Sequence, residues 1–361
     1  MNEKNSIGAF QLCCLFFVSR VLALFTFILP ESERLAAGDR PLLFLSFFVF
    51  GLIVLLPAFV LCKRKESVFD LTDRVSPNLT RFCAVLFAIG AVWNAAVGLA
   101  RVSLFAGTVL FEGVSLTLPM LGLTVSSVIV AVKGRETVAR AAVIVAGLLI
   151  FVFLFVLVTT AKDFDVANLE PPFENGVLSF MKQGLLAVAR TPELGALLLL
   201  APNVKGNVRK STSLWLLFFG ITASASFLII TGVTGAFGER QMFQLYTLTT
   251  LSKLGAMERM DDIFAAVWVL AALIRTAFFL GLGGESVTRV FPKTSLKHVI
   301  VILGAAAFGL CLLMSGSVVT FADVLASDGN VVMFVSFIVL LPVVVLIAER
   351  MKQKRERNRL K

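Results

Sequence analysis

Histidine is almost absent from this 361-residue sequence, in which His298 is the single example. A histidine-based metal site or a Ser-His-Asp triad would need more imidazoles than the chain offers. The sequence has no CxxC pair, so its cysteines indicate neither a disulfide framework nor a zinc site. We therefore expect no enzyme, no metal site and no cofactor. The cysteines lie within or at the ends of apolar stretches, at Cys13, Cys14, Cys62, Cys83 and Cys311.

Charged residues are also scarce, at 16%, whereas hydrophobic residues make up 58% of the chain. Soluble domains are about 45–50% apolar, and a water-soluble fold of this composition would expose large apolar patches. Several apolar runs exceed the roughly 18 residues that cross a bilayer as a helix. The composition predicts an all-α integral membrane protein.

We place ten transmembrane helices in a single transmembrane domain that covers residues 1–361, with a basic tail at 350–361. The polar segment 240–259 is too polar for a span and is predicted to be an external helix over the entrance. The ten spans are 7–29, 41–61, 82–104, 117–132, 139–161, 176–202, 211–235, 260–282, 298–315 and 330–349.

Most of the 33 lysine and arginine residues fall on one side of this arrangement. Basic residues favour cytoplasmic connections, so both termini are predicted to be cytoplasmic in a multi-pass cell-membrane protein. The net charge of +10 is then explained by topology and by contact with lipid headgroups. We expect no nucleic acid partner.

Span six contains the polar interruption "VARTPEL" at its centre. Thr191 is a good helix N-cap, and Pro192 suits the first helical position. Glu193 would then lie in the first turn, near the positive end of the helix dipole. The pattern predicts two half-helices that meet near Arg190 and Thr191. Irregular backbone at this depth is tolerated where it lines a protein-walled or watery cavity.

Span one carries a second polar interruption, Ser19 and Arg20. Breaks in spans one and six are expected of a five-plus-five inverted repeat, the construction that places transporter substrate sites at the midplane. We predict a first repeat over about 7–161 and a second over about 176–349, with helices one and six broken.

Buried charges near these breaks are candidate ligand-binding residues. An unpaired charge at the bilayer centre costs at least about 2.5–3.5 kcal/mol, so Arg20 needs a partner, and we predict Glu193. The pair is either a static link or part of a pocket. In a pocket, an arginine fork suits a ligand carboxylate, whereas Glu193 could hold an ammonium or accept a proton.

Three further residues keep two interpretations each. Arg190 either lines the pocket or caps the end of the outer half-helix. Arg275, inside span eight, needs a polar partner and is either functional or structural. Asn94 either lines the cavity or makes an interhelical hydrogen bond. The full candidate set is Ser19, Arg20, Asn94, Arg190, Thr191, Pro192, Glu193 and Arg275.

Several short motifs together resemble the spore germination protein B-subunit (GerAB) family of the amino acid–polyamine–organocation superfamily. The best matching segment is "MERMDDIFAAVWVLAALIRTAFFL", with Glu258, Arg259, Asp262 and Trp268. Further matches are Gln11 with Leu12, Pro30, "NLEPPFENG", and Glu193 followed by Pro202. The resemblance implies a LeuT-like fold in the spore inner membrane. It also implies A and C receptor subunits as partners and a small nutrient as ligand.

The leading hypothesis is a membrane subunit of a nutrient germinant receptor, which binds a small polar, amino acid-like ligand and triggers germination. The alternative is a proton-coupled secondary transporter of amino acids or amines, in which Glu193 is the proton-linked group. A channel for ions or water is a third possibility.

Overall fold

The computed structural model describes residues 6–25, 38–111, 114–169, 173, 176–239, 241–252, 260–326, 331 and 335–359. Within these ranges the chain is almost entirely helical. Several residues that carry the family resemblance lie outside the described residues. They are Pro30, Glu170, Pro171, Pro172, Glu174, Asn175, Glu258 and Arg259.

The helices follow one another with short connections. In the first half they are α1 (Ala9–Phe25), α2 (Asp39–Val54), α3 (Leu56–Cys62), α4 (Val68–Val75), α5 (Pro77–Phe105), α6 (Thr117–Val132) and α7 (Arg135–Thr160). In the second half they are α8 (Val177–Ala189), α9 (Pro192–Leu200), α10 (Val208–Glu239), α11 (Gln244–Leu251), α12 (Met260–Val290), α13 (Leu296–Met314), α14 (Val318–Ala326) and α15 (Leu341–Arg359). Two strands, β1 (Ile7–Gly8) and β2 (Val204–Lys205), pair in parallel. Short 3-10 or π-helical segments are Ala106–Leu110, Ala161–Asp163, Val166–Asn168, Ala201–Asn203 and Ser336–Leu340.

The helices account for the predicted membrane architecture. In the described residues, five single helices are long and apolar enough to cross a membrane. Two bent pairs, α2 with α3 and α8 with α9, raise this number to seven, and three shorter apolar helices lie at residues 9–24, 117–132 and 336–348. This set is consistent with ten spans. The chain is a multi-pass membrane protein.

The break predicted in span six is confirmed. The helices α8 and α9 meet at an angle of 42° across Arg190 and Thr191. A second bend, of 55°, separates α2 from α3 at Leu55, where a proline stands in the first turn of α3. This second bend was not predicted from the sequence.

The break predicted at Ser19 and Arg20 is wrong, because α1 is continuous from Ala9 to Phe25. Arginine is a good helix former and serine a tolerable one, and this stretch contains neither proline nor glycine. A charge in mid-span demands a partner but leaves the helical hydrogen bonds intact. The partner comes from a neighbouring span, as the site geometry shows.

Helix α1 lies at the centre of the bundle, in contact with α7, α10 and α12. Two long helix pairs flank it, α5 with α12 and α2 with α10. Gly220 allows the second pair to approach closely, because a Cβ atom there would lie 2.8 Å from the carbonyl oxygen of Phe44. The stacked rings of Phe44 and Phe227, 4.9 Å apart, continue this contact.

Spans one and six are also joined at the end where α1 begins. Ile7 pairs with Val204 and Gly8 with Lys205, so β1 and β2 connect the start of α1 to the end of α9. Within the segment 240–259, the described residues form α11, which packs against α1, α7, α10 and α12. Residues 240 and 253–259 lie outside the described residues, and the external position of the segment stays a prediction.

Candidate ligand-binding site at the break in span six

Two residues separate the half-helices of span six. Arg190 follows the last residue of α8, and Thr191 leaves the helical conformation, with φ −110° and ψ 89°. Pro192 stands at the start of α9, as predicted. Thr191 does not cap α9 with its side chain, contrary to prediction. Its hydroxyl donates instead to the carbonyl of Ala187, 2.9 Å away, because the last carbonyls of a helix lack intrahelical donors.

The carbonyl end of α8 is capped by Arg20 from span one. The Nη1 atom of Arg20 donates to the carbonyl of Arg190 at 3.0 Å, and Nη2 donates to that of Ala187 at 3.3 Å. A cation is favourable at this end of a helix dipole. The guanidinium also lies 6.0 Å from the ring centre of Phe47 and 5.8 Å from that of Phe219.

Glu193 is fully buried and forms its ion pair with Arg275. The same carboxylate oxygen, Oε1, accepts a hydrogen bond of 2.5 Å from the hydroxyl of Ser19. The predicted Arg20–Glu193 ion pair is therefore wrong. Arg275 reaches the carboxylate from span eight, whereas Arg20 is directed to the backbone of α8.

Arg275 joins three other spans. Its Nη1 atom also donates to the carbonyl of Ser19 at 2.7 Å and to its hydroxyl at 3.0 Å. Its Nη2 atom donates to Oδ1 of Asn94 at 3.2 Å. The interhelical hydrogen bond considered for Asn94 is thus present, with Arg275 as donor. The side chain of Arg275 is 6% exposed.

Arg20 and Glu193 each keep a polar atom that makes no hydrogen bond to the described residues. The Nε atom of Arg20 and the Oε2 atom of Glu193 are buried, and neither has a hydrogen-bond partner among the described residues. Buried polar atoms are normally paired, so an unpaired donor and an unpaired acceptor in the same site call for an explanation.

Arg101 lies on α5, the helix that also carries Asn94, and was not among the candidate residues predicted from the sequence. Span three was predicted to end at residue 104, close to Arg101, whereas the helical span continues through Ala106–Leu110. The Cζ atom of Arg101 lies 5.8 Å from the ring centre of Phe321. The available signal was spacing, since residues seven apart on a helix share a face and Asn94 precedes Arg101 by that distance.

A small cavity adjoins the break on the side of α9. Its volume is about 30 Å³, which admits water but is far below the roughly 300–1,000 Å³ of typical ligand pockets. This cavity is therefore closed to an amino acid in the present conformation. It is lined by Phe87, Gly90, Ala91, Asn94, Pro192, Gly195, Ala196, Phe279, Leu282, Phe337 and Ile338.

A helical bundle in which span six is broken beside buried charges is typical of membrane transporter folds. Two solved structures agree with this class. One is Mhp1, a nucleobase-cation-symport-1 family transporter in a closed conformation with bromovinylhydantoin bound. It has a TM-score of 0.64 and 15% identity, over 92% of this chain and 78% of that chain. The other is a Na⁺-coupled sialic acid symporter in a substrate-bound outward-open state, with a TM-score of 0.58 and 13% identity, over 92% and 79%.

The family is identified by sequence. The family model described as "Spore germination protein" matches residues 42–319, and the chain belongs to this family. None of the curated proteins compared matches the chain. The predicted family and the LeuT-like transporter fold are both confirmed. The boundaries of the two repeats stay a prediction.

Proposed function

We propose that this protein is the membrane subunit of a nutrient germinant receptor, which binds a small amino acid-like ligand at the break in span six. Membership of the spore germination family and the transporter fold support this role. The observation that carries it is the unused pair of groups, Nε of Arg20 and Oε2 of Glu193.

These two groups suit a zwitterion. The ligand carboxylate accepts from Nε of Arg20, and the ligand ammonium donates to Oε2 of Glu193. Neither contact requires Arg20 to release α8 or Arg275 to release Oε1. The remaining candidate residues, Ser19, Asn94, Arg190, Thr191, Pro192 and Arg275, form the surroundings of this pair.

Binding would be coupled to movement of the half-helices. Arg20 holds the end of α8, and Glu193 belongs to the first turn of α9, so a ligand that bridges them favours one bend angle of span six. Signalling needs only a difference in affinity between two conformations. The β1–β2 pairing then passes movement of α9 to the start of α1, and we propose that the A and C subunits respond to this change.

The proposed receptor lies in the spore inner membrane with both termini in the cytoplasm. The support for this orientation is the clustering of basic residues in the connections on one side and in the tail.

Ligand-induced thermal stabilisation of the purified protein tests the proposal. Four probes separate the two charges of the ligand. L-alanine carries both charges, and propionate carries only the anion. L-alaninamide and ethylamine carry only the cation, and ethylamine also lacks a carbonyl group. A ligand at about 100 times its Kd stabilises the folded state by about 2.7 kcal/mol. We expect the largest shift in melting temperature with alanine or, in a wider screen, with another zwitterionic amino acid.

The matched variants are Glu193→Gln and Arg289→Ala. Arg289 forms a remote ion pair with Asp70 and Asp73, at 2.8 and 2.6 Å, and its variant should respond as the wild type does. Glu193→Gln should lose the ligand-induced shift, whatever its starting melting temperature. An equal shift in Glu193→Gln and wild type would refute the proposed pocket.

The second candidate function is proton-coupled transport of an amino acid or amine, with Glu193 as the proton-linked group. The observation in its favour is that both structural relatives are transporters, one of them described as Na⁺-coupled. Liposomes with an imposed pH gradient discriminate between the two functions. Accumulation of labelled alanine that collapses with the gradient favours the transporter, and binding without accumulation favours the receptor.

A further inference from the structure

Oxygen atoms from three spans surround the guanidinium of Arg275. They are the carbonyl and hydroxyl oxygens of Ser19 on α1, Oδ1 of Asn94 on α5 and Oε1 of Glu193 on α9. We call these four atoms the oxygen cage. The side chain of Arg275 reaches these four atoms from α12, which forms span eight.

The chemistry of the cage is that of a cation site. Carbonyl, hydroxyl, amide and carboxylate oxygens are the ligands that hard metal cations prefer, and all four also accept hydrogen bonds. The cage carries one formal negative charge, that of Glu193, so a single positive charge balances it. A guanidinium meets both requirements with several N–H donors in one plane.

We propose that the oxygen cage is a monovalent-cation site that the protein fills with its own side chain, Arg275. The tethered cation holds spans one, three and six together without any dissolved ion. Removing the side chain should leave a vacant site that accepts free guanidinium and, more weakly, small alkali cations.

The packing around Arg275 supports a permanent occupant. Gly98 packs directly against the side chain, since a Cβ atom built there would lie in ordinary van der Waals contact, 3.5 Å from Cδ of Arg275. The ring of Phe279 covers the guanidinium, with its centre 4.9 Å from Cζ. An ion exchanged with solvent needs an open path, whereas Arg275 is 6% exposed.

This inference goes beyond the proposed function, since it concerns how the core is held together and requires no nutrient ligand. The experiment therefore measures the melting temperature of the full-length protein in lipid nanodiscs without any amino acid. Guanidinium, sodium, potassium and choline chlorides are compared at about 10–50 mM, far below the molar concentrations of guanidinium that denature proteins.

The wild type should show the same melting temperature in all four salts. Arg275→Ala leaves the Glu193 carboxylate buried without its cation, and we expect a melting temperature lower by about 5–15 °C. Guanidinium should restore a substantial part of this loss, sodium and potassium less, and choline none. Arg275→Lys should show no rescue, because its ammonium occupies the cage.

The double variant Arg275→Ala/Glu193→Gln is the matched control, because it removes both charges of the pair. It should be more stable than Arg275→Ala and gain nothing from guanidinium. Arg289→Ala controls for general effects of arginine loss at a distant ion pair.

Two results would overturn the proposal: no stabilisation of Arg275→Ala by guanidinium or alkali cations, or the same stabilisation in the double variant. If Arg275→Ala does not yield folded protein, recovery of the folded double variant tests the proposal instead. A cation cage predicts that the double variant is recovered folded, and loss of both variants would contradict it.

Discussion

Arg20→Met separates the structural role of Arg20 from its proposed role in ligand binding. In the structure, Arg20 donates one good hydrogen bond, to the carbonyl of Arg190, and a longer one to that of Ala187. The Ala187 carbonyl keeps its bond from Thr191 when Arg20 is lost. The structural loss is therefore close to one charge-assisted hydrogen bond.

The opposing contributions to folding stability nearly cancel. One such hydrogen bond contributes about 1.5–3 kcal/mol, and weak contacts with the Phe47 and Phe219 rings contribute about 1 kcal/mol in total. Methionine removes a mid-membrane charge that costs about 2.5–3.5 kcal/mol. We expect the free energy of unfolding to change by less than about 2 kcal/mol.

Ligand affinity should change much more. In the Arg20→Met variant, nothing replaces the hydrogen bond from Nε to a ligand carboxylate. Losing this bond costs about 1.5–3 kcal/mol of binding free energy, which weakens binding about 10- to 150-fold. Isothermal titration of the stabilising amino acid into wild type, Arg20→Met and Arg20→Lys measures this. Arg20→Lys keeps the charge and should lose less affinity.

Unchanged affinity in Arg20→Met would refute the assignment of Nε to the ligand. A loss of stability well above 3 kcal/mol would refute the cancellation and make Arg20 primarily a structural cap.

Two further changes test the architecture. Gly220→Ala places a Cβ atom against the carbonyl of Phe44 and should lower the free energy of unfolding by about 1–3 kcal/mol. The control Gly122→Ala, whose Cβ would have no atom within 4 Å, should not lower it. Thermal unfolding compares the two variants, and equal effects would contradict the close approach of α2 and α10. Pro192→Ala alone should keep the 42° bend, because Arg20 still donates to the last carbonyls of α8. Spin-label distances between α8 and α9 should change only when Arg20→Met is added. Straightening of span six by Pro192→Ala alone would show that the proline causes the bend.

The break in span six was predictable because its causes are local. A threonine, a proline and a glutamate in sequence specify the start of a helix, and α9 begins at Pro192. Pro57 is an equally local signal for the bend between α2 and α3, because it stands in the first turn of α3. Local chemistry in the sequence therefore determines where helices begin.

The partners of the buried charges were not predictable in the same way. Arg20 and Arg275 both lie within spans, so either could reach Glu193, and only the packing of α1 and α12 decides between them. The charge of Arg20 suggested a break in α1, yet a helix carries a charge without breaking when a neighbour supplies acceptors. Arg101 was not a candidate because it lay near the predicted end of span three, whereas the helical span extends to Leu110.

The most direct test of the ligand site is a cryo-electron microscopy map of the protein in nanodiscs with the best-stabilising amino acid. The account predicts ligand density between Arg20 and Glu193, with α8 and α9 still separate at residues 190 and 191. Ligand density elsewhere, with Arg20 and Glu193 unchanged, or a continuous helix through span six, would contradict it.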